Sequence, residues 1–128
     1  MGMACTGLML GQAAVAAEAG GVRTAQVLDI APVWAGHPVG FCLLTSGGRQ
    51  YVAFYDAERH MTVAARALDS SEWTFKRLPS DLVWDSHNFI VMTMDDAGLL
   101  HLAGNMHVAP LVYFRTAAPH DIATFERI

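Results

Sequence analysis

Basic charge is scarce in this chain. Eight Lys and Arg stand against twelve Asp and Glu, which leaves a net charge of −4 and a pI near 5.8. No basic run is longer than Lys76-Arg77. A nucleic-acid binder carries a basic footprint, so no nucleic-acid partner is expected. Cysteine is as scarce. Cys5 and Cys42 stand in neither a metal-ligand nor a Cys-x-x-Cys spacing, which argues against a zinc knuckle and a redox dithiol. The His-x₃-His spacing of many zinc sites is missing too. No metal is assigned on this basis and no cofactor is required, although a structural metal stays open.

Long apolar runs are also lacking. The most apolar stretch, residues 1–19, is interrupted by Gly7, Gly11 and Gln12 and is too short to span a membrane. It offers small residues at Ala14-Val15-Ala16 but has no Lys or Arg before Arg23. This makes it a poor signal-peptide-like leader, and a secreted or periplasmic protein is expected from it. Residues 20–32 read as a linker.

What the chain does have is apolar content of 53 % with only 16 % charged residues, enough to bury a core. It also has an internal echo. "VWAGH" begins at Val33 and "VWDSH" at Val83. Sliding the chain by fifty residues without gaps gives nine identities over residues 33–78: Val33, Trp34, His37, Gly48, Ala53, Ala67, Thr74, Phe75 and Arg77 meet their own kind. "TFKRL" becomes "TFERI", and the turn "TSGG" (45–48) lies over "DDAG" (95–98).

Each unit reads as four strands. Residues 39–45 and 49–55 flank a glycine turn as a hairpin, followed by 61–68 and 73–78. The second unit repeats them at 88–94, 99–105, 111–116 and 123–128. "MTVAARAL" (61–68) has helical propensity, but its partner "LVYFRT" has little, so both are assigned as strands. Four antiparallel strands at a period of 40–50 residues are the signature of a β-propeller blade. The expected architecture is all-β, with blade 1 at 33–82 and blade 2 at 83–128. A blade buries its faces only against neighbours in a closed ring. The chain is therefore expected to be the N-terminal piece of a protein about three or four times longer, with further blades beyond Ile128 as its partners.

The repeated histidines enter the innermost strand of each blade, at the channel mouth. In the second unit a turn at 95–98 makes facing residues sum to about 193–194, which sets His87 against Met106 or His107. Opposed side chains share a sheet face. "GNMH" (104–107) thus brings a second imidazole, with Asn105, to His87, whereas the first unit has Ala57 at the matching place. Trp34 and Trp84 read as packing between blades. His60, His101 and His120 read as turn or strand residues.

The stretches "VWAGHPVGF", "RQYVAFYDAERHMTVAARALDSSEWTFKRLP", "WDSHNFI" and "HLAGNMHVAPLVYFRT" resemble the BNR-repeat-containing bacterial proteins related to the ulvan lyases. The resemblance runs from about Val33 to Phe125, and its most specific part is the "WDSHN"/"GNMH" pair. The strict Asp-box, S-x-D-x-G-x-T-W, is not matched; "DSSEWTF" (69–75) is a degenerate relative. The resemblance implies a seven-bladed propeller that cleaves an acidic, uronate-containing polysaccharide by β-elimination. It carries the catalytic histidines over to His87 and His107, with a tyrosine and an arginine from later blades. Asn88, Asn105 and His37 are the expected substrate-binding residues. Imidazole suits such chemistry because it accepts or donates a proton near neutral pH. The alternatives are a non-catalytic carbohydrate-binding propeller and, ranked last, a glycoside hydrolase. A hydrolase needs two carboxylates roughly 5–10 Å apart, and no such pair is evident at the mouth: Asp85 is adjacent to His87, while Asp95 and Asp96 lie at the other end of the hairpin.

Overall fold

The computed structural model describes residues 23–36 and 40–128. The leader at 1–19, the start of the linker, Cys5 and His37 lie outside the described residues. Two four-stranded antiparallel sheets make up the fold. The first comprises β1 (Cys42–Ser46), β2 (Arg49–Tyr55), β3 (His60–Ala67) and β4 (Thr74–Asp81) in sequential order. The second comprises β5 (Ile90–Met94), β6 (Leu100–Gly104), β7 (Tyr113–Thr116) and β8 (Phe125–Arg127), also in sequential order. Residues 61–68 are strand nearly throughout, despite the helical propensity of Ala and Arg. No α-helix occurs among the described residues, and none of their helices is long and apolar enough to cross a membrane.

The two hairpins turn differently, and the sequence explains why. Gly47 and Gly48 both take left-handed backbone, at φ 58° and 74°, between the paired Ser46 and Arg49. A two-residue turn that demands positive φ twice selects glycine twice. The second hairpin has one residue more. Asp95 donates its N–H to the Leu99 carbonyl at 3.0 Å, and Gly98 alone takes positive φ, at 78°. The Asp95 carboxylate accepts the N–H groups of Ala97 at 3.0 Å and Leu99 at 2.8 Å, doing by side chain what glycine does by conformation.

The fifty-residue offset therefore holds strictly only in the middle of each sheet. Tyr51 pairs with Ala65 as His101 pairs with Arg115, and Ala53 with Val63 as Ala103 with Tyr113. The extra turn residue slips the first pair by one: Cys42 faces Ala53, but Met92 faces Leu102. The fourth strand is displaced by two, since Phe75 faces Ala64 while Phe125 faces Thr116. Residues 123–124, expected as strand, belong to a short 3₁₀ turn, Ile122–Thr124. Asp121 caps it by accepting the Ala123 N–H at 3.0 Å, which shortens β8 to three residues.

The core lies between the sheets. Tyr51, Ala53, Tyr55, Met61, Val63 and Ala65 join Ile90, Met92, Leu100, Leu102 and Phe114 in one buried cluster. Alternation along β2 sends Val52 and Phe54 to the opposite face, where Ile30 and Trp73 cover them. Positions fifty residues apart also touch. The rings of Trp34 and Trp84 meet edge to face with centroids 5.4 Å apart. The Cys42 thiol approaches the Met92 carbonyl at 3.5 Å. The Asn105 N–H is donated to the Tyr55 hydroxyl at 2.8 Å. The two tryptophans thus pack on each other, as the repeat suggested.

A candidate site at the open end of the second hairpin

The register of β5 and β6 runs from Met94 opposite Leu100 to Ile90 opposite Gly104, a constant sum of 194 that continues outward to His87 and His107. The segments 83–89 and 105–108 prolong the two strands as irregular loops at the end away from Asp95–Gly98. Two buried amides hold these loops together. Asn88, fully buried, accepts the His107 N–H on Oδ1 at 3.0 Å and donates Nδ2 to the Val83 carbonyl at 3.4 Å. Asn105 accepts the Val83 N–H on Oδ1 at 2.9 Å and donates Nδ2 to the Asp81 carbonyl. It takes positive φ, 55°, a conformation that asparagine tolerates better than most residues. Both amides are therefore engaged with backbone. Gly104, just before, lacks a side chain for a steric reason: a Cβ there would stand 2.9 Å from the Tyr55 hydroxyl.

The imidazoles of His87 and His107 converge, with ring centroids 4.4 Å apart and planes inclined by 39°. Between them stands Asp85, which sequence reasoning had placed beside His87 without giving it a part in the histidine pair. Its Oδ1 meets His87 Nδ1 at 2.8 Å and its Oδ2 meets His107 Nδ1. Oδ1 also accepts the His87 N–H at 2.8 Å. One carboxylate thus bridges both rings. The signal for it was the Asp-x-His spacing: the two-residue step lets one side chain accept both the backbone N–H and the ring nitrogen of His87. The cluster is open to solvent, with side-chain exposures of 65 % for His87, 40 % for His107 and 29 % for Asp85.

A carboxylate only accepts hydrogen bonds. Each Nδ1 must then carry the proton it shares with Asp85, and a neutral ring keeps its lone pair on Nε2. Among the described residues neither Nε2 has a hydrogen-bond partner, and both side chains are exposed to solvent. The hydrogen bond from His107, then that from the His87 backbone, hold the Asp85 carboxyl well below the usual carboxylate range. The fold favours the ionised form of Asp85. Its contribution is present above the unfolded value of about 3.9 and is lost only as pH falls through the lower folded midpoint. A carbon-13 titration of Asp85 is expected to show a midpoint clearly below that of a model carboxylate, rising when His107→Ala removes the first of these bonds.

The other described histidines sit elsewhere. His60 opens β3 and bonds Asp81 through Nε2 at 3.0 Å. His101 joins the Tyr113 hydroxyl at 2.5 Å and Asp95 at 3.0 Å, on the sheet surface. His120 reaches across to the Tyr51 hydroxyl at 3.2 Å. Asp85, His87 and His107 are the group of potential ligands that comes together among the described residues, with one donor atom from each within 4.8 Å of the others.

No curated protein matches the chain. The family model described as "BNR repeat-containing family member" matches residues 49–128. That span runs from the start of β2 to the end of the second sheet and includes Asp85, His87 and His107. This is more than half of the sequence, and the chain belongs to the BNR repeat-containing family.

Proposed function

We propose that the chain supplies two blades of a secreted seven-bladed propeller that cleaves a uronate-containing polysaccharide by β-elimination, with His87 and His107 as its proton-transfer pair. The observation that carries this reading is the shared carboxylate of Asp85. It holds two adjacent, exposed rings by Nδ1 and leaves both Nε2 atoms without a hydrogen-bond partner among the described residues. β-Elimination at a uronate needs one such nitrogen as base and a second group as donor. The Nε2 of one neutral ring takes the C5 proton, and the other ring, in its doubly protonated form, donates its Nε2–H to the uronate carboxylate or gives that proton to the O4 leaving group. The resemblance to ulvan-lyase relatives implies a tyrosine and an arginine supplied by other blades of the ring. Asn88 and Asn105 serve the substrate by holding the loops in register, and His37 is the counterpart of His87 on the first blade.

A glycosidase fits less well. Its two acids must stand on either side of the scissile bond, and here the one carboxylate among the three clustered groups is engaged by both imidazoles. A binding-only propeller remains the rival reading. The test uses the intact protein with acidic polysaccharides of the ulvan type and follows the ultraviolet absorbance of the unsaturated uronate. Growth of that absorbance is expected. Saturable binding of the polysaccharide with no absorbance change points to the binding propeller.

A further inference from the structure

We propose that Asp85, His87 and His107 form a binding site for a divalent transition-metal ion of the zinc type. The donor set argues for the ion class. Two imidazole nitrogens and one carboxylate oxygen suit zinc, copper or nickel rather than calcium or magnesium, which take oxygen ligands. Three protein ligands with an open position are the usual catalytic or exchangeable zinc arrangement. The spacing argues for the fit. One donor atom from each residue lies within 4.8 Å of the others, and His87 Nδ1 is 2.8 Å from Asp85 Oδ1. A tetrahedral ion with bonds of about 2.0–2.2 Å needs donors about 3.3 Å apart. The His87–Asp85 pair must open by about half an ångström, and any donors that lie further apart must close to the same spacing, movements that exposed side chains can make. The backbone beneath is already fixed, by the His87 N–H on Asp85 and the His107 N–H on Asn88.

The ion would sit where the two Nδ1 protons now lie. Each neutral imidazole then carries its proton on Nε2 instead of Nδ1, with no net proton lost from the rings. The basic lone pairs turn inward to the metal, and the Nε2 nitrogens become donors. Bound metal and Nε2 base chemistry are therefore mutually exclusive states of one cluster. The site shares its residues with the elimination reading but does not rest on it, because binding is read without activity.

The experiment titrates the intact protein with zinc chloride by calorimetry and follows nitrogen-15 spectra of the histidine side chains. One equivalent is expected to bind, with His87 and His107 switching from the Nδ1–H to the Nε2–H tautomer. Magnesium should produce neither effect. His107→Ala and Asp85→Asn should each weaken zinc binding by at least about tenfold, the scale of losing a ligand or its support, while His101→Ala leaves it unchanged. Far-UV circular dichroism checks that each variant keeps its sheets. Absence of zinc binding, binding that survives both site variants, or binding without the tautomer switch overturns the proposal. None of these outcomes bears on whether the metal-free protein eliminates.

Discussion

If the protein eliminates as proposed, His107→Ala and His87→Ala are each expected to lower the rate by about 10²–10⁴-fold, the usual loss when a general acid or base is removed. His37→Ala loses much less, because Ala57 stands where the second unit has His107. The contrast is built into the hairpin. His87 and His107 share one carboxylate and one face at the open end. Steady-state rates on an acidic polysaccharide, with folding checked by circular dichroism, give the comparison. His101→Ala is a fourth arm, since His101 sits among Asp95 and Tyr113 towards the other end of the hairpin and should leave the rate unchanged. Small and equal losses for His37, His87 and His107 would assign the repeated histidine to the blade rather than to chemistry, and favour the binding propeller.

Tyr55→Ala destabilises the fold by about 3–5 kcal/mol, the range for truncating a buried aromatic. Tyr55→Phe costs about 1–3 kcal/mol, the penalty for a buried donor left without its acceptor. Tyr55 is 1 % exposed and sits in the cluster between the sheets. Its hydroxyl accepts the N–H of Asn105, itself 8 % exposed. Burial pushes the phenol up to about 12, so the hydroxyl stays protonated through the neutral range. The Phe variant's loss should therefore not change between pH 6 and about pH 9. Urea unfolding at several pH values measures both variants. A Phe variant as stable as the parent would show that Asn105 finds another acceptor. Because Asn105 opens the loop that carries His107, the Phe variant should also loosen the His87–His107 pair more than its stability loss alone suggests.

Much of this geometry was legible in the sequence because strand pairing is arithmetic. Once "DDAG" marked the turn, the register put Met106 or His107 opposite His87 without any knowledge of packing. The glycine pair at 47–48 and the repeat likewise placed the first hairpin. Three things were hidden. The additional residue in the second turn could not be seen, because an aspartate side chain replaced a glycine's backbone freedom. The 3₁₀ turn before β8 depends on Asp121 capping Ala123, a local hydrogen bond that competes with strand pairing. The bridging role of Asp85 depends on a rotamer, and a spacing of two residues only permits it. The buried amides of Asn88 and Asn105 belong with this last group. The resemblance made them expected substrate-binding residues, and the hydrogen bonds their side chains make here run to backbone, which is common for buried polar side chains.

Trp34 touches Trp84, Cys42 touches Met92, and Tyr55 touches Asn105. In each case a residue meets the one fifty positions later. A chain that grew by duplication would have begun with the same residue on both sides of every such contact. That founding condition is a filter on chemistry. A ring can lie against an identical ring, and a small apolar or thiol group against its twin, but a lysine or aspartate would face a like charge at every junction as the array lengthened. Such columns should be the least charged in the whole array. Where the two residues have drifted apart, as Tyr55 and Asn105 have here, the contact is kept through the main chain, since the Asn105 N–H that meets the Tyr55 hydroxyl is one that any residue but proline supplies.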